Sequence, residues 1–276
     1  MKAIILCGGL GTRFLPVSKG ISKELLPIYD KPILQYLVDD LIANNVTEIA
    51  FIIRPDKTDI VKYFTKNAGY ESLVDISTHE QLANYKKARF YFIAQNTPKG
   101  TADALNTAKN WVGDDMFFVL NGDEVIQNTP SLISQMLIKH NDVKAPVLAL
   151  KKVSVEESKK YGMVKIDHLH SGQIKSIIEK PQTCPPSLYA SIGAYLLEPS
   201  VFEYIKEYDD MPLTDAIDMY VKNNFLYGVE IEGHRYDLGN PLGYVLSNFE
   251  YVLFDPITQE KVEEKLYSLG FERRKK

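Results

Sequence analysis

Apolar residues in the first 150 positions form two kinds of pattern, short continuous runs and helically spaced repeats. Residues 3–7 are a run of apolar side chains rich in Ile, which is typical of a strand buried on both faces. From Pro32 the apolar positions recur at helical spacing, and proline favours the first turn of a helix. Further strands are predicted at 48–53, 90–94 and 116–120, with a helix over 102–111. This alternation predicts βαβ units and a largely parallel sheet, which binds ligands at the carboxyl ends of its strands.

Beyond residue 153 the predicted strands follow one another more closely. Strands are predicted at 162–166, 174–179, 188–197 and 226–232, with helical patterns at 200–206 and 213–222. No Ser/Gly linker or composition break interrupts the chain, so we predict a single domain over residues 1–276. It comprises a first half up to about residue 150, a β-rich second half over 151–240 and a C-terminal helical segment over 241–276.

The C-terminal helical segment carries an apolar face. A helix is predicted from about Leu242, with apolar side chains on or near one face at Tyr244, Val245, Phe249, Val252 and Leu253. Such a face either packs against the core of its own chain or forms a subunit contact. We favour packing against the chain's own core.

Composition and charge exclude several classes of protein. Of the 276 residues, 45% are hydrophobic and 25% are charged, which is enough apolar material for a sizeable core and excludes global disorder. The net charge of -4 is spread without a basic stripe, so no nucleic-acid partner is expected. The two cysteines, Cys7 and Cys184, are not in metal-ligand spacing and fit a reducing compartment. The apolar run at the N-terminus is too short for a signal segment or a membrane span, so we expect a soluble, cytoplasmic protein with no membrane partner.

A glycine-rich loop directly follows the first predicted strand. Residues 8–13 read Gly-Gly-Leu-Gly-Thr-Arg. Glycines allow a tight turn and let backbone N–H groups approach phosphate oxygens, and Arg13 adds a planar cationic fork for a polyphosphate. A plain tight turn is the alternative. The loop lacks the Gly-x-Gly-x-x-Gly spacing of dinucleotide-binding proteins and the Gly-Lys-Ser/Thr ending of a Walker loop, so both of these sites are excluded.

The residues after this loop extend the motif to about residue 33. They read Phe-Leu-Pro at 14–16, Lys-Glu-Leu-Leu-Pro at 23–27 and Asp-Lys-Pro-Ile at 30–33. The whole stretch resembles, in order and spacing, the N-terminal signature of the sugar-1-phosphate nucleotidyltransferases. This resemblance covers nearly the whole chain and implies a Rossmann-like α/β fold. In that fold a mixed, mainly parallel sheet is flanked by helices and is followed by a β-rich sugar-binding half and C-terminal helices. It also implies the nucleotide-binding residues Gly8, Gly9, Gly11, Thr12, Arg13, Lys23, Glu24, Gln95 and Gly100. Of these, Gln95 and the backbone of Gly100 would contact the edge of the base.

Two aspartates match the metal-binding positions of this family. Asp123 ends a predicted buried strand, and a carboxylate there suits Mg²⁺, which takes few protein ligands and keeps phosphates and water. Asp237 matches the second carboxylate, so the resemblance implies Mg²⁺ as the cofactor. Either aspartate alone is equally consistent with a turn or a helix cap.

The sugar-phosphate site is implied by motifs in the second half. By resemblance, Gly162 approaches the sugar through its backbone, Glu179 accepts hydrogen bonds from sugar hydroxyls and Lys180 holds the sugar phosphate as a point charge. A solvated strand exit is the alternative for residues 179–181. The catalytic residues implied for the family are Arg13, Lys23, Asp123 and Lys180.

The implied reaction joins a nucleoside triphosphate to a sugar 1-phosphate by in-line attack on the α-phosphorus, with release of pyrophosphate. The motif at 23–27 is most similar to bacterial-type UTP–glucose-1-phosphate uridylyltransferases, which implies synthesis of UDP-glucose. The chain departs from that subgroup at Cys7, Ala194 and residues 99–103, where Asp103 stands in place of a histidine. These departures leave thymidylyl transfer as an alternative.

Two further alternatives belong to other functional classes. A glycosyltransferase would use a related nucleotide-binding fold, but residues 123–125 do not supply its usual Asp-x-Asp motif. The second alternative is a non-catalytic protein that binds nucleotide sugars. Such a protein would not need the intact set of charged residues, which comprises Arg13, Lys23, Asp123, Lys180 and Asp237. The resemblance also implies a homodimer or homotetramer.

Overall fold

The computed structural model describes residues 1–65, 85–127, 129–167, 172–206, 210–254 and 256–271. Its strands are β1 (Lys2–Leu6), β2 (Pro27–Ile28), β3 (Lys31–Pro32), β4 (Glu48–Ile53), β5 (Arg89–Ala94), β6 (Phe117–Asn121), β7 (Glu124–Gln127), β8 (Val147–Lys152), β9 (Gly162–Asp167), β10 (Gln173–Glu179), β11 (Tyr189–Leu197), β12 (Tyr227–Glu230) and β13 (His234–Asp237). Its α-helices are α1 (Ile33–Ala43), α2 (Thr58–Thr65), α3 (Gly100–Asn106), α4 (Lys109–Val112), α5 (Leu132–Val143), α6 (Leu213–Tyr220), α7 (Pro241–Phe254) and α8 (Pro256–Ser268).

One mixed sheet dominates the molecule. Its strand order is β5-β4-β1-β6-β11-β8-β12-β10-β9, and two small antiparallel pairs, β2–β3 and β7–β13, lie outside it. Strands β5, β4, β1 and β6 are parallel, whereas β11 runs antiparallel to β6 and β8. The predicted α/β class with a flanked, mixed sheet is confirmed. Strand β12 is also parallel to its neighbour β8, whereas the remaining pairings of this sheet are antiparallel.

Strand β1 shows why the sheet forms the centre of the molecule. Its neighbours are β4 on one side and β6 on the other, and its interior residues are fully buried. Ile4 contributes to the hydrophobic core on one face of the sheet and Ile5 to the core on the other. Alternating residues therefore bury apolar surface on both faces, as the continuous apolar run at 3–7 predicts.

The structure corrects several predicted elements. The helix predicted over 102–111 is divided into α3 and α4, and Thr107, at the break, donates from its hydroxyl to the carbonyl of Ala104 at 2.7 Å. Such local side-chain bonds compete with regular helix. The helix predicted over 200–206 is a 3-10 helix at Pro199–Tyr204. Helix α5 and strand β8 fall in a stretch for which the sequence predicted no element.

The C-terminal helical segment is two helices, α7 and α8. Tyr244 and Tyr251 pack against a small buried cluster that contains Phe14 and Tyr236. The expectation that the whole apolar face packs on the chain's own core is wrong for Val245 and Phe249, which are exposed. The small cluster covers only the side of α7 on which the tyrosines lie. None of the helices in the described ranges combines the length and apolar composition that a membrane crossing requires.

Candidate active site

A cleft of about 770 Å³ lies where the two halves of the chain meet. Strands β1 and β6 are parallel neighbours, so the loops that follow them leave the same edge of the sheet. Residues from β9, β10 and the start of α6 form other parts of the wall. Five of the residues predicted from sequence line this cleft: Arg13, Asp123, Gly162, Glu179 and Lys180.

Lys23 and Asp123 form an ion pair at the cleft. Nζ of Lys23 lies 2.5 Å from Oδ2 of Asp123, although the two residues are 100 positions apart. Burial by itself would lower the pKa of the Lys23 ammonium, but the carboxylates of Asp123 and Glu24 raise it above the ordinary value. Lys23 therefore stays cationic. Gly122, which precedes Asp123, lies close against β1 and Cys7, because a Cβ atom there would lie 3.0 Å from the Leu6 carbonyl oxygen and 2.9 Å from Sγ of Cys7.

The glycine loop adopts a conformation that its residues permit. Gly11 has a φ of 67°, and its carbonyl accepts a hydrogen bond from the Ser18 hydroxyl at 2.8 Å. Thr12 and Arg13 then form a 3-10 turn with Phe14. Arg13 donates a hydrogen bond to the carbonyl of Gly239 at 3.4 Å. Gly239 lies in the loop that follows β13. A second hollow of about 230 Å³ is lined by Gly9, Gly11, Lys23 and other residues.

Glu24 differs from the other predicted nucleotide-binding residues. Its side chain is 1% exposed, and both of its carboxylate oxygens accept hydrogen bonds from Nζ of Lys57. Burial raises the pKa of Glu24, and the Lys57 ammonium opposes that rise. The Glu24 carboxylate is therefore the internal partner of Lys57 and is not presented to the cleft.

Gln95 lies beside the glycine loop and contacts Gly100; neither residue lines the large cleft, although Thr101 does. Gln95 directly follows β5, and a Cβ atom on Gly8 would lie 2.7 Å from its Oε1. Gly100 has a φ of 90°, and a Cβ atom there would come within 2.4 Å of the Met211 carbonyl oxygen. Gln95 lines a third hollow, of about 400 Å³, together with Asp103. The predicted base-binding segment thus adjoins the predicted phosphate-binding loop.

The second half of the chain supplies a polar wall to the cleft. The Thr214 hydroxyl donates to Oε2 of Glu179 at 2.9 Å, and Nζ of Lys180 lies 3.0 Å from Oε1 of the same carboxylate. A Cβ atom on Gly162 would lie 2.7 Å from Cγ2 of Thr214 and 3.1 Å from Oε2 of Glu179. Glycine at 162 therefore keeps space open beside the carboxylate. Thr214 lies in the helix predicted over 213–222 and was not among the predicted site residues.

An ion pair in the cleft wall was missed by sequence reasoning. Arg235 donates to Oε2 of Glu124 at 2.8 Å from Nε and to Oε1 at 2.6 Å from Nη2. Its guanidinium lies 4.5 Å from the ring centre of Tyr161. Burial would lower the pKa of Arg235, but Glu124 raises it, so the arginine remains charged. The backbone of Asp237 pairs with that of Glu124 on β7, whereas the side chain of Asp237 lies outside the described part of the structure.

Comparison with known proteins identifies the family. The model of the nucleotidyl transferase family matches residues 2–249 of the chain. The chain belongs to the nucleotidyl transferase family. It is 30% identical to UTP–glucose-1-phosphate uridylyltransferase 1 of Staphylococcus saprophyticus, over 98% of both chains. It is 31% identical to the UTP–glucose-1-phosphate uridylyltransferase of Staphylococcus haemolyticus, again over 98% of both.

Solved structures resemble this nucleotidyl transferase over most of its length. A UDP-glucose pyrophosphorylase complexed with UDP-glucose superposes with a TM-score of 0.81 at 30% identity, covering 91% of this chain and 97% of the other. A UTP-bound enzyme of the same name from Acinetobacter baumannii gives a TM-score of 0.85 at 27% identity, covering 97% and 99%.

The cleft of this nucleotidyl transferase combines charges from both halves of the chain. Arg13 and Lys23 come from the loops after β1, and Lys180 comes from the end of β10. Lys180 has a φ of 43°, a backbone conformation that non-glycine residues adopt rarely and that is often found at functional sites. Cations contributed by both halves suit two anionic ligands that must approach each other.

Proposed function

We propose that the chain makes UDP-glucose and pyrophosphate from UTP and glucose 1-phosphate. The observation that carries this proposal is the shared cleft, which is lined by Asp123 from one half and by Glu179 and Lys180 from the other, with Lys23 paired to Asp123. The names of the relatives, which match over nearly the full length, support UTP and glucose 1-phosphate as the substrates.

In this proposal catalysis depends on positioning and on charge neutralisation. An oxygen of the sugar phosphate attacks the α-phosphorus of UTP, the new P–O bond forms, and the bond to pyrophosphate breaks. The attacking oxygen is already anionic, so no general base is required. Arg13 and Lys23 neutralise charge on the triphosphate, and Lys180 does so on the sugar phosphate, which lowers the repulsion between the two anions.

The residues at the cleft suit a magnesium ion. Asp123 lines the cleft, and 27% of its side chain is exposed. Among the described residues no group of three or more His, Cys, Asp or Glu side chains is arranged to hold a metal. Mg²⁺ uses one or two protein carboxylates and completes its shell with phosphates and water. We propose Asp123 and Asp237 as its ligands. When bound, Mg²⁺ would neutralise charge on the triphosphate.

The sugar would lie against the second half. Glu179 is held by Thr214 through Oε2, and its carboxylate lines the cleft, so it can accept hydrogen bonds from sugar hydroxyls. Gly162 leaves room for the sugar beside that carboxylate.

Release of pyrophosphate by the purified protein tests the proposal. The assay uses Mg²⁺ and glucose 1-phosphate with each of UTP, dTTP, CTP, ATP and GTP in turn. We expect the highest kcat/KM with UTP. A clear preference for dTTP would replace the uridylyl assignment with thymidylyl transfer. If no nucleotide supports release with any of several sugar 1-phosphates, while UDP-glucose still binds, the chain is a non-catalytic binder.

The proposal includes the setting in which the reaction takes place. We propose a cytoplasmic homodimer or homotetramer that acts on small molecules only. Light scattering coupled to gel filtration measures the oligomeric state, and a monomer at micromolar concentration would contradict that part of the proposal.

A further inference from the structure

The side-chain amide of Gln95 is held in one orientation by Asp103. Gln95 is 3% exposed. Its Nε2 donates to Oδ2 of Asp103 at 2.6 Å and to the carbonyl oxygen of Gly100 at 3.3 Å. A carboxylate and a carbonyl can only accept hydrogen bonds, so the nitrogen of the amide must face them. Asp103 lies in the first turn of α3, where the helix holds it in place.

The oxygen of the same amide is consequently directed toward the glycine loop. Oε1 lies 2.7 Å from the position that a Cβ atom of Gly8 would occupy. Within the described part of the chain, the hydrogen bonds of the Gln95 side chain all leave from Nε2. Gln95 thus offers an acceptor to a ligand on the loop side, while its donors are used internally.

We propose that Asp103 is a positioning residue that fixes Gln95 as an acceptor and so selects pyrimidine nucleotides that carry a hydrogen at N3. This inference rests on the proposed function and on the predicted contact of Gln95 with the base. Uracil and thymine donate from N3–H, whereas N3 of cytosine only accepts. Cytosine would therefore place two acceptors against each other, and a site built for one hydrogen-bond pattern rejects the other.

The binding preference for UTP over CTP tests this inference. We would measure the Kd of each nucleotide by calorimetry, with Mg²⁺, for the wild-type protein and for Asp103→Asn. Asparagine offers a donor as well as an acceptor at this position, so the Gln95 amide is free to turn over. We expect the ratio of the CTP Kd to the UTP Kd to fall by about tenfold or more. Asp114→Asn, the same change at an exposed carboxylate after α4, should leave the ratio unchanged.

A compensating variant separates positioning from loss of structure. In the double variant Gln95→Glu/Asp103→Asn the carboxylate and the amide exchange places, so the single negative charge moves to position 95, and the carboxylate there offers an acceptor in either orientation. We expect this variant to recover the preference for UTP. If Asp103→Asn does not fold, Asp103→Ala, which also frees the amide, takes its place.

The possible outcomes distinguish this inference from the proposed function. Equal affinity of the wild-type protein for UTP and CTP would overturn the inference, and so would an unchanged ratio in a folded Asp103 variant. Turnover is not needed for either result. A wild-type protein that prefers UTP in binding but releases no pyrophosphate would overturn the proposed function, and the effect of the Asp103 variants on the ratio would still decide the inference.

Discussion

Nζ of Lys57 lies 2.8 Å from Oε1 and 2.7 Å from Oε2 of Glu24, and both side chains are buried. The two residues come from different loops, 33 positions apart. Glu24 directly follows Lys23, which reaches Asp123. Because a buried charge requires a partner, this contact ties the loop that carries Lys23 to the segment before α2.

Loss of Lys57 should destabilise the folded protein. Lys57→Met would leave the Glu24 carboxylate buried without its partner, and the expected loss in the free energy of unfolding is about 3–5 kcal/mol. Urea denaturation followed by circular dichroism measures it. The double variant Lys57→Met/Glu24→Gln removes both charges and should recover most of the loss. A loss below about 1 kcal/mol in the single variant would show that Glu24 is not dependent on Lys57.

Lys23 and Asp123 should be required for turnover but not for folding. Lys23→Ala removes a cation and Asp123→Asn removes a carboxylate at the cleft, and each should lower kcat/KM by about 10²-fold or more. Pyrophosphate release at saturating Mg²⁺ measures the effect. Lys109→Ala, which removes an exposed lysine in α4, is the control and should be fully active. Turnover near the wild-type rate in either cleft variant would remove that residue from the mechanism.

The elements around the cleft show what sequence patterns can predict. The apolar run of β1 and the motif after it predicted a strand followed by a loop, and both lie where the pattern placed them. Arg13, Asp123 and Glu179 were singled out because each belongs to a short motif near the end of a predicted strand. The parallel order of β1 and β6 then brings the segments of Arg13 and Asp123 to one edge, whereas Glu179 ends β10, whose pairings are antiparallel.

Contacts between distant segments were not predictable in the same way. Arg235 meets Glu124 because β13 pairs with β7, and periodicity does not indicate which strands pair. Lys57 has no motif of its own, and an isolated lysine is usually exposed, so the buried pair with Glu24 was not expected. The exposure of Val245 depends on how little core surface is available to α7, which is a tertiary property.

Gly162 should be needed for binding of the sugar phosphate. In Gly162→Ala the new methyl group would lie 2.7 Å from Cγ2 of Thr214 and 3.1 Å from Oε2 of Glu179, so it would displace the Glu179–Thr214 pair that lines the cleft. We expect the KM for glucose 1-phosphate to rise about tenfold with a smaller change in the KM for UTP. Gly20→Ala is the matched control, because nothing lies within 4 Å of its added Cβ atom. Equal changes in both KM values would contradict the assignment of Gly162 to the sugar.

The two cysteines should differ in reactivity. Cys7 is buried beneath the glycine loop and Cys184 is exposed. A thiol reagent at pH 8 should therefore modify one thiol in the native wild-type protein and none in Cys184→Ser. Unfolding in urea should release the second thiol for reaction. Rapid modification of native Cys184→Ser would show that the region around Cys7 opens readily.

The Cys7 thiol should make the stability of the folded protein depend on pH in the alkaline range. Burial, reinforced by the Glu24 carboxylate, raises the pKa of Cys7 well above its ordinary value of 9.0. Because the folded-state pKa is the higher one, the contribution of Cys7 to stability is complete below about pH 9. It is lost as the pH rises further, since only the unfolded chain then releases the proton. Cys7→Ala should reduce the alkaline decline in unfolding free energy by up to about 1.4 kcal/mol per pH unit. Identical slopes for both proteins between about pH 9 and 10.5 would mean that the Cys7 thiol ionises equally well in the folded state.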